Sequence, residues 1–348
     1  MTTAKFTIDL RSDTITRPNV EMRARMHDAV TGDDVFAEDP EINELQKRCA
    51  EMFGMEDGLF CPSGTMTNQI AIAVHTSPGE EVICDKLSHI YHYEGGGIAR
   101  LSGASVRLLN GDLGRFTASD VRANVNPLDS HYAKTSLVSL EDTCNKGGGS
   151  IWDLSELREV SKVSRELGLS VHLDGARLWN AIVARGIHND AKALQAYGAN
   201  FDSMSLCLSK GLGCPVGSVL VGSKSFIAKA HRARKVFGGG MRQAGIIAAA
   251  GIYALENNIN RLEIDHSHAK RLGESALHHP SVISHAPIDT NIVILELKKG
   301  VDADALCSEW GRNGIECFQF GPTSIRFVTH LDNTDAQIDG ACNYLSKI

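Results

Sequence analysis

Hydrophobic positions fall into short unbroken runs separated by amphipathic stretches, and this alternation predicts an α/β fold. Runs at 58–61, 81–85, 106–109, 136–140, 169–174, 204–208 and 218–221 have the length of buried strands. Between them 20–29, 42–53, 66–75, 153–167 and 225–236 read as helices, with Asp153 placed to cap its helix. The acidic stretch 32–40 reads as a capping turn before 42–53. Helix 246–255 is rich in alanine and glycine, which permits close packing. Past about residue 251 the pattern changes. A long polar helix at 260–278 precedes strands at 291–297, 317–320 and 324–328, with helices at 303–312 and from Thr334. The expected division is therefore 1–250, an extended arm with a large domain, and 251–348, a small α/β domain.

At 348 residues the chain exceeds one typical domain, which agrees with that division. Hydrophobic residues at 43% and charged residues at 22% are ordinary globular values, and they exclude a disordered or fibrous chain. A net charge of −7 offers no basic footprint, so neither nucleic acid nor an anionic membrane is an expected partner, and a small molecule is. Nine cysteines lie among apolar neighbours without CxxC spacing, which reads as reduced thiols in a cytoplasmic protein with no metal site. The start, MTTAKFTIDLRSD, lacks a signal-peptide apolar run, and the longest apolar stretch, 244–255, falls short of the roughly 20 residues that span a bilayer.

In an open α/β sheet the ligand crevice lies outside the carboxyl ends of the strands, so residues just past strand runs are the ones to weigh for chemistry. Lys210 follows 204–208 in a turn built from Gly211, Gly213 and Pro215. It is either a loop lysine reaching water or a desolvated amine able to condense with a carbonyl. Asp174 ends strand 169–174 and can face the same pocket. Together they match what pyridoxal 5'-phosphate needs: a lysine for its carbonyl and a carboxylate that keeps its ring nitrogen protonated. Arg177 could simply pair with Asp174. Ser63, Gly64 and Thr65 open a helix, either as a plain cap or as amides that seat an anion. His89 follows strand 81–85, where an imidazole can lie flat on a planar ring, and Gly95 to Gly97 allow close approach after it. His131, Lys235 and Arg326 have bland readings as a surface turn, a solvated helix face and an edge-strand charge. Ser12 lies in the polar arm that ends at Pro18.

Seven motifs, IDLRSDTITRP, GDDVFAEDP, CPSGTMTNQIAI, HLDGAR, SLCLSKGLGCPVGSVLVG, GGGMRQAGIIAAAGIYAL and IRFVTHLD, run in order through almost the whole chain. In these motifs the sequence resembles the threonine aldolases, pyridoxal-phosphate enzymes of the aspartate-aminotransferase-like fold type I. The resemblance implies a large domain with a mainly parallel central sheet and a small C-terminal α/β domain. It implies that Lys210 carries the cofactor, that Asp174 meets its ring nitrogen and that His89 stacks on the ring. Gly64 and Thr65 would bind its phosphate, and Arg177 would lie beside it. Ser12, Arg177 and Arg326 would hold the substrate carboxylate. His89 and His131 are the candidate bases for the β-hydroxyl proton. Lys235 would reach a neighbouring subunit's cofactor phosphate, which implies a homo-oligomer, a dimer or a dimer of dimers. At one place the chain departs from the pattern: Cys144 follows Thr143 where the family has a histidine.

The activity so implied is aldol cleavage of L-threonine or L-allo-threonine to glycine and an aldehyde. Its rivals on the same fold are β-elimination and transamination, told apart by ammonia and keto acid among the products. A non-catalytic relative would need no such set as Lys210, Asp174, Arg177 and Arg326. Nucleotide binding is set aside, because no strand run leads into GxGxxG or GK[ST].

Overall fold

A computed structural model describes residues 7–347. The strands assigned among them are β1 (Ile8–Asp9), β2 (Asp57–Cys61), β3 (Glu81–Asp85), β4 (Ser105–Leu109), β5 (Thr135–Glu141), β6 (Ser170–Gly175), β7 (Ser203–Cys207), β8 (Ser218–Gly222), β9 (Val282–His285), β10 (Ile292–Leu297), β11 (Ile315–Glu316), β12 (Phe318–Gly321) and β13 (Ser324–Val328). Seven form one sheet in the order β2-β8-β7-β6-β5-β3-β4. β4, β3, β5, β6 and β7 run parallel to one another, and β8 runs antiparallel to both β7 and β2. Nearly every residue of β3, β5, β6 and β7 is buried, which is why these strands read as continuous apolar runs and not as alternating ones.

Helices cover the sheet and close a core that includes Phe53, Phe60, Trp152, Trp179 and Tyr197. The acidic turn before residue 40 caps its helix: Asp39 accepts from the amides of Glu41 and Ile42, and Pro40 stands in the first turn of Pro40–Met52. The small-residue helix Gly245–Asn257 packs between that helix and Val20–His27. A second sheet, β12-β13-β10-β9, is antiparallel throughout, and its core gathers Trp310, Phe327, Leu295 and Ile325.

Two features bear on the expected boundary at 250/251. Residue 250 lies inside the unbroken helix Gly245–Asn257, whose Ile252 and Ala254 belong to the first core. The cores change along the helix Leu262–Ala276, where Leu262 packs in the first and Ala269, Leu272 and Ala276 in the second. The amino-terminal arm also starts in the small domain: β1 pairs in parallel with β11, and Ile8 and Leu10 lie in the second core. From there the arm crosses to the carboxyl ends of the parallel strands.

Candidate active site

Lys210 sits where the strand-end rule places it. β7 is buried along its length, and the chain turns at once, Gly213 donating from its amide to the Lys210 carbonyl at 2.8 Å with φ +77°. That positive φ suits glycine and few other residues. The arm closes over the turn, Thr16 Oγ1 donating to the same carbonyl at 2.8 Å. Lys210 Nζ donates to Cys207 Sγ at 3.3 Å, and Cys207 lies beside Gly64, the first residue of the helix Gly64–His75. Ser63 caps this helix, its Oγ accepting from Met66 N at 3.2 Å.

Asp174 is buried near the end of β6, in register with Glu141 on one side and Ser205 on the other. Its Oδ1 accepts from Ala176 N at 3.0 Å, and its Oδ2 has no hydrogen-bond partner. A buried carboxylate oxygen without a donor is rare enough to call for one. A ring nitrogen of His89 lies within 4.8 Å of an Asp174 carboxylate oxygen, so the two side chains share one neighbourhood.

His89, Lys210 and Arg177 line one cleft of about 490 Å³ with Ser12, Tyr93, Glu141, Asn145, Phe320 and Arg326. This lies within the size range of small-molecule sites. A larger concavity of about 960 Å³ lies around Arg11, Arg17 and His330, but Lys210 does not line it.

Arg177 does not pair with Asp174. It is buried and gives two hydrogen bonds to Asp13 of the arm, Nε to Oδ2 at 2.7 Å and Nη2 to Oδ1 at 2.6 Å. Its Nη1 points to Asn145 Oδ1 at 3.4 Å, and Arg326 Nη1 donates to that same oxygen at 2.9 Å. Arg326 stacks on Phe320 at 5.1 Å and keeps its Nε without a partner. Burial and the charge of Arg177 pull the Arg326 guanidinium down to about 10. Two cations so close, one with a donor to spare, call for an anion, and the planar fork of arginine suits a carboxylate. Ser12 stands at the edge of the cleft and caps the turn Asp13–Ile15, its Oγ accepting from Thr14 N at 3.2 Å.

Glu141 is buried and pushed up to about 7 by burial and by the charge of Asp174, although its oxygens accept from His89 N and Asn145 N, both at 2.8 Å. It thus ties the histidine to the residue that joins the two arginines. Among the residues that sequence reasoning missed, only Glu141 had a signal, since it ends a strand run. Asp13 and Asn145 meet their arginines across 164 and 181 residues.

Of the expected site residues, Gly64, Thr65, Asp174, His131 and Lys235 do not line this cleft; Thr65 is exposed and lines a separate hollow with Ser63, Met66 and Gln69. Within one chain the His131 side chain is 85% exposed in the loop before β5, where Asp129 accepts from both its amide and its ring nitrogen. That local turn satisfies the histidine without any pocket. Lys235 is exposed at the end of the helix Lys224–Val236 and does not line the cleft. Cys144 faces away from the chemistry. Its sulfur packs so tightly on Gly114 that a Cβ there would stand 2.2 Å from it, and burial pushes the thiol well up.

Residues 9–299 match the family model described as beta-eliminating lyase. The low specificity L-threonine aldolase of Escherichia coli (strain K12) is 40% identical over 332 residues, covering 95% of this chain and 96% of its own. The low-specificity L-threonine aldolase 1 of Arabidopsis thaliana is 38% identical, covering 95% and 93%. Among solved structures, the threonine aldolase of Leishmania major superposes with a TM-score of 0.82 at 19% identity, over 97% of this chain and 98% of that one. The serine palmitoyltransferase of Sphingomonas wittichii reaches 0.74 at 17% identity, over 98% and 86%. At such identities the two structures establish the fold alone.

Proposed function

Because the chain belongs to the beta-eliminating lyase family and, within it, to the low-specificity L-threonine aldolases, we propose that it cleaves L-threonine, L-allo-threonine and related β-hydroxy-α-amino acids to glycine and an aldehyde. The family works with pyridoxal 5'-phosphate, whose ring when bound accepts the electron pair left at the substrate α-carbon. The residues present fit that group. Asp174 Oδ2 is a buried acceptor without a donor, as a protonated ring nitrogen requires, and Ser218 Oγ beside Gly64 is likewise unpartnered. In this reading Lys210 Nζ is the covalent anchor, His89 lies on the ring, and Gly64 and Thr65 bind the phosphate at the helix start. Arg177 lies beside it.

The chain's own residues then do the following. Arg177 and Arg326, joined through Asn145, hold the substrate carboxylate with Ser12, so the bond from Cα to Cβ is oriented for cleavage. His89 takes the proton of the β-hydroxyl through Nε2, because Nδ1 is engaged by Glu94 at 3.0 Å. Burial pulls the His89 imidazole down, and the Glu94 hydrogen bond with the charges of Asp174 and Glu141 outweighs burial, leaving it above its ordinary value. It is therefore a stronger base than a free imidazole.

A second copy of the chain completes the site in this reading. Lys235 is exposed beside Val236, itself 81% exposed, and would reach the partner's cofactor phosphate in a dimer or dimer of dimers. The nine free thiols favour the cytoplasm, and no helix among the described residues is long and apolar enough to cross a membrane.

The observation that carries the reading is the meeting of Lys210 and a paired guanidinium site in one cleft with His89, whose ring lies within 4.8 Å of the Asp174 carboxylate, one oxygen of which has no partner. The test is product analysis with purified protein and pyridoxal phosphate, each amino acid given separately. Aldehyde and glycine in equal amounts support it. Ammonia with a keto acid would make the protein a β-eliminating enzyme or an aminotransferase instead.

A further inference from the structure

Glu94 is wholly enclosed, and none of its hydrogen-bond partners is a lysine or arginine. Besides His89 Nδ1 it accepts from Asn68 Nδ2 at 2.9 Å and Gln69 Nε2 at 2.6 Å. The chain of contacts continues behind it. Asn68, its amide nitrogen used on Glu94, presents Oδ1 to His172 Nε2 at 3.1 Å. His172 is pulled down to about 3 by burial and then by His75, so it is neutral and carries its proton on that nitrogen. Its Nδ1 therefore accepts, and the donor there is Ser203 Oγ at 2.8 Å. Ser203 in turn accepts from His75 Nε2 at 2.8 Å, and His75 is neutral too, pulled down to about 4 by burial. Each bond dictates the polarity of the next. Every donor in the row points toward Glu94.

We propose that Glu94 is a positioning residue: a one-way row of neutral donors running from His75 fixes its carboxylate as an acceptor, and Glu94 pins the His89 proton on Nδ1 and leaves Nε2 free for the substrate. The inference rests on the base role given to His89 above and adds what enforces that role. It also accounts for the last of the three glycines. A Cβ on Gly97 would stand 2.5 Å from Gln69 Cδ and Oε1, so only glycine leaves Gln69 room to reach Glu94. A carboxylate that holds an imidazole in one tautomer is a recurring device in acid and base catalysis.

The groups that face His89 are Glu94 at Nδ1, Asp174 within 4.8 Å, Glu141 at its backbone amide and the Tyr93 ring at 5.5 Å, with Lys146 lying over that ring at 5.7 Å. Glu94 alone of the carboxylates hydrogen-bonds the ring, so its loss is separable from theirs.

The experiment uses the full chain and two readouts. The first is the nitrogen chemical shifts of the His89 imidazole against pH in protein without cofactor, identified by their loss in His89→Gln. The second is aldehyde release against pH with cofactor and L-threonine. In Glu94→Gln the Nδ1–H form of His89 should cease to dominate and its titration should move down by about one pH unit. Turnover should fall about a hundredfold, with KM changed much less and the acid limb displaced to lower pH. Ser203→Ala cuts the row without touching His89; it should reduce the Nδ1–H fraction, and Ser203→Thr should restore it. Unchanged tautomer and titration in a folded Glu94→Gln overturn the proposal. If the unaltered protein releases no aldehyde while the imidazole behaves as stated, the proposed reaction fails and the placement of Glu94 stands.

Discussion

Asp13 holds Arg177 by two hydrogen bonds, both buried, and so fastens the amino-terminal arm to the end of β6. The same arm begins as β1 in the small domain. One ion pair thereby sets the arginine proposed to hold the substrate and the seat of the arm together. A buried pair gains little over an apolar substitute, but removing one partner strands the other charge, at a cost of about 3–5 kcal/mol.

Asp13→Asn keeps the size of the side chain and removes its charge. Stability should fall by a few kcal/mol, on the order of that cost, and KM for L-threonine should rise about tenfold or more as Arg177 loses its orientation. Denaturant midpoints and steady-state kinetics check both effects. An unchanged KM in a folded variant would remove Arg177 from carboxylate binding.

Asp174→Ala deletes the carboxylate given to the ring nitrogen. The protein should still bind some cofactor, because Lys210 and the start of helix Gly64–His75 remain, yet turnover should drop by about a hundredfold or more. Full activity with bound cofactor would refute the role given to Asp174.

Cys144 occupies the position where the family pattern has histidine, and its sulfur faces Gly114 instead of the cleft. Cys144→Ala should leave kcat and KM nearly unchanged. Cys144→His should destabilise by about 1–3 kcal/mol, since the larger ring has no room against Gly114. A tenfold kinetic effect of the alanine variant would mean the thiol acts in the chemistry after all.

Three buried histidines make stability fall in mild acid. His75 and His266 are pulled down to about 4 and His172 to about 3, in each case chiefly by burial, against 6.5 ordinarily. Below 6.5 the unfolded chain binds protons that the folded one refuses, so their contribution is full above 6.5 and is lost as pH drops toward those values. Glu141, raised from 4.5 to about 7, works the other way and adds stability as pH falls through that window. His231 and His279, also lowered by burial, act with the three, while His89, Asp142 and Asp265, raised, act with Glu141. In the window from 6.5 to 5 the histidines that refuse protons outnumber the groups that take them up, at about 1.4 kcal/mol per pH unit for each net proton. Urea midpoints of cofactor-free protein should be lower at pH 5 than at pH 6, and His75→Gln should flatten the difference. A midpoint that rises over this interval would contradict the burial of these rings.

Much of this architecture was readable from residue order. The strand runs located Lys210 and Asp174, because parallel strands are buried on both faces and deliver their carboxyl ends to one crevice. The division between domains was not readable at 250, since helices Gly245–Asn257 and Leu262–Ala276 are both continuous and composition changes before the core does. The partnership of Asp13 with Arg177 and the bridge at Asn145 join distant segments, and nothing local marks them. His131 is a different case: within one chain it lies outside the cleft, and a local turn with Asp129 satisfies it. The buried row behind Glu94 combines residues from β6, β7 and the helix Gly64–His75, and nothing local marks them as a row.

The account stands on the Lys210 amine as the group that carries the cofactor. Incubating the protein with pyridoxal phosphate, reducing the covalent link with borohydride and mapping the labelled peptide by mass tests this most directly. The label should fall on Lys210 alone and should vanish in Lys210→Ala together with aldehyde release. A label on another lysine, with Lys210→Ala still turning over threonine, would contradict it.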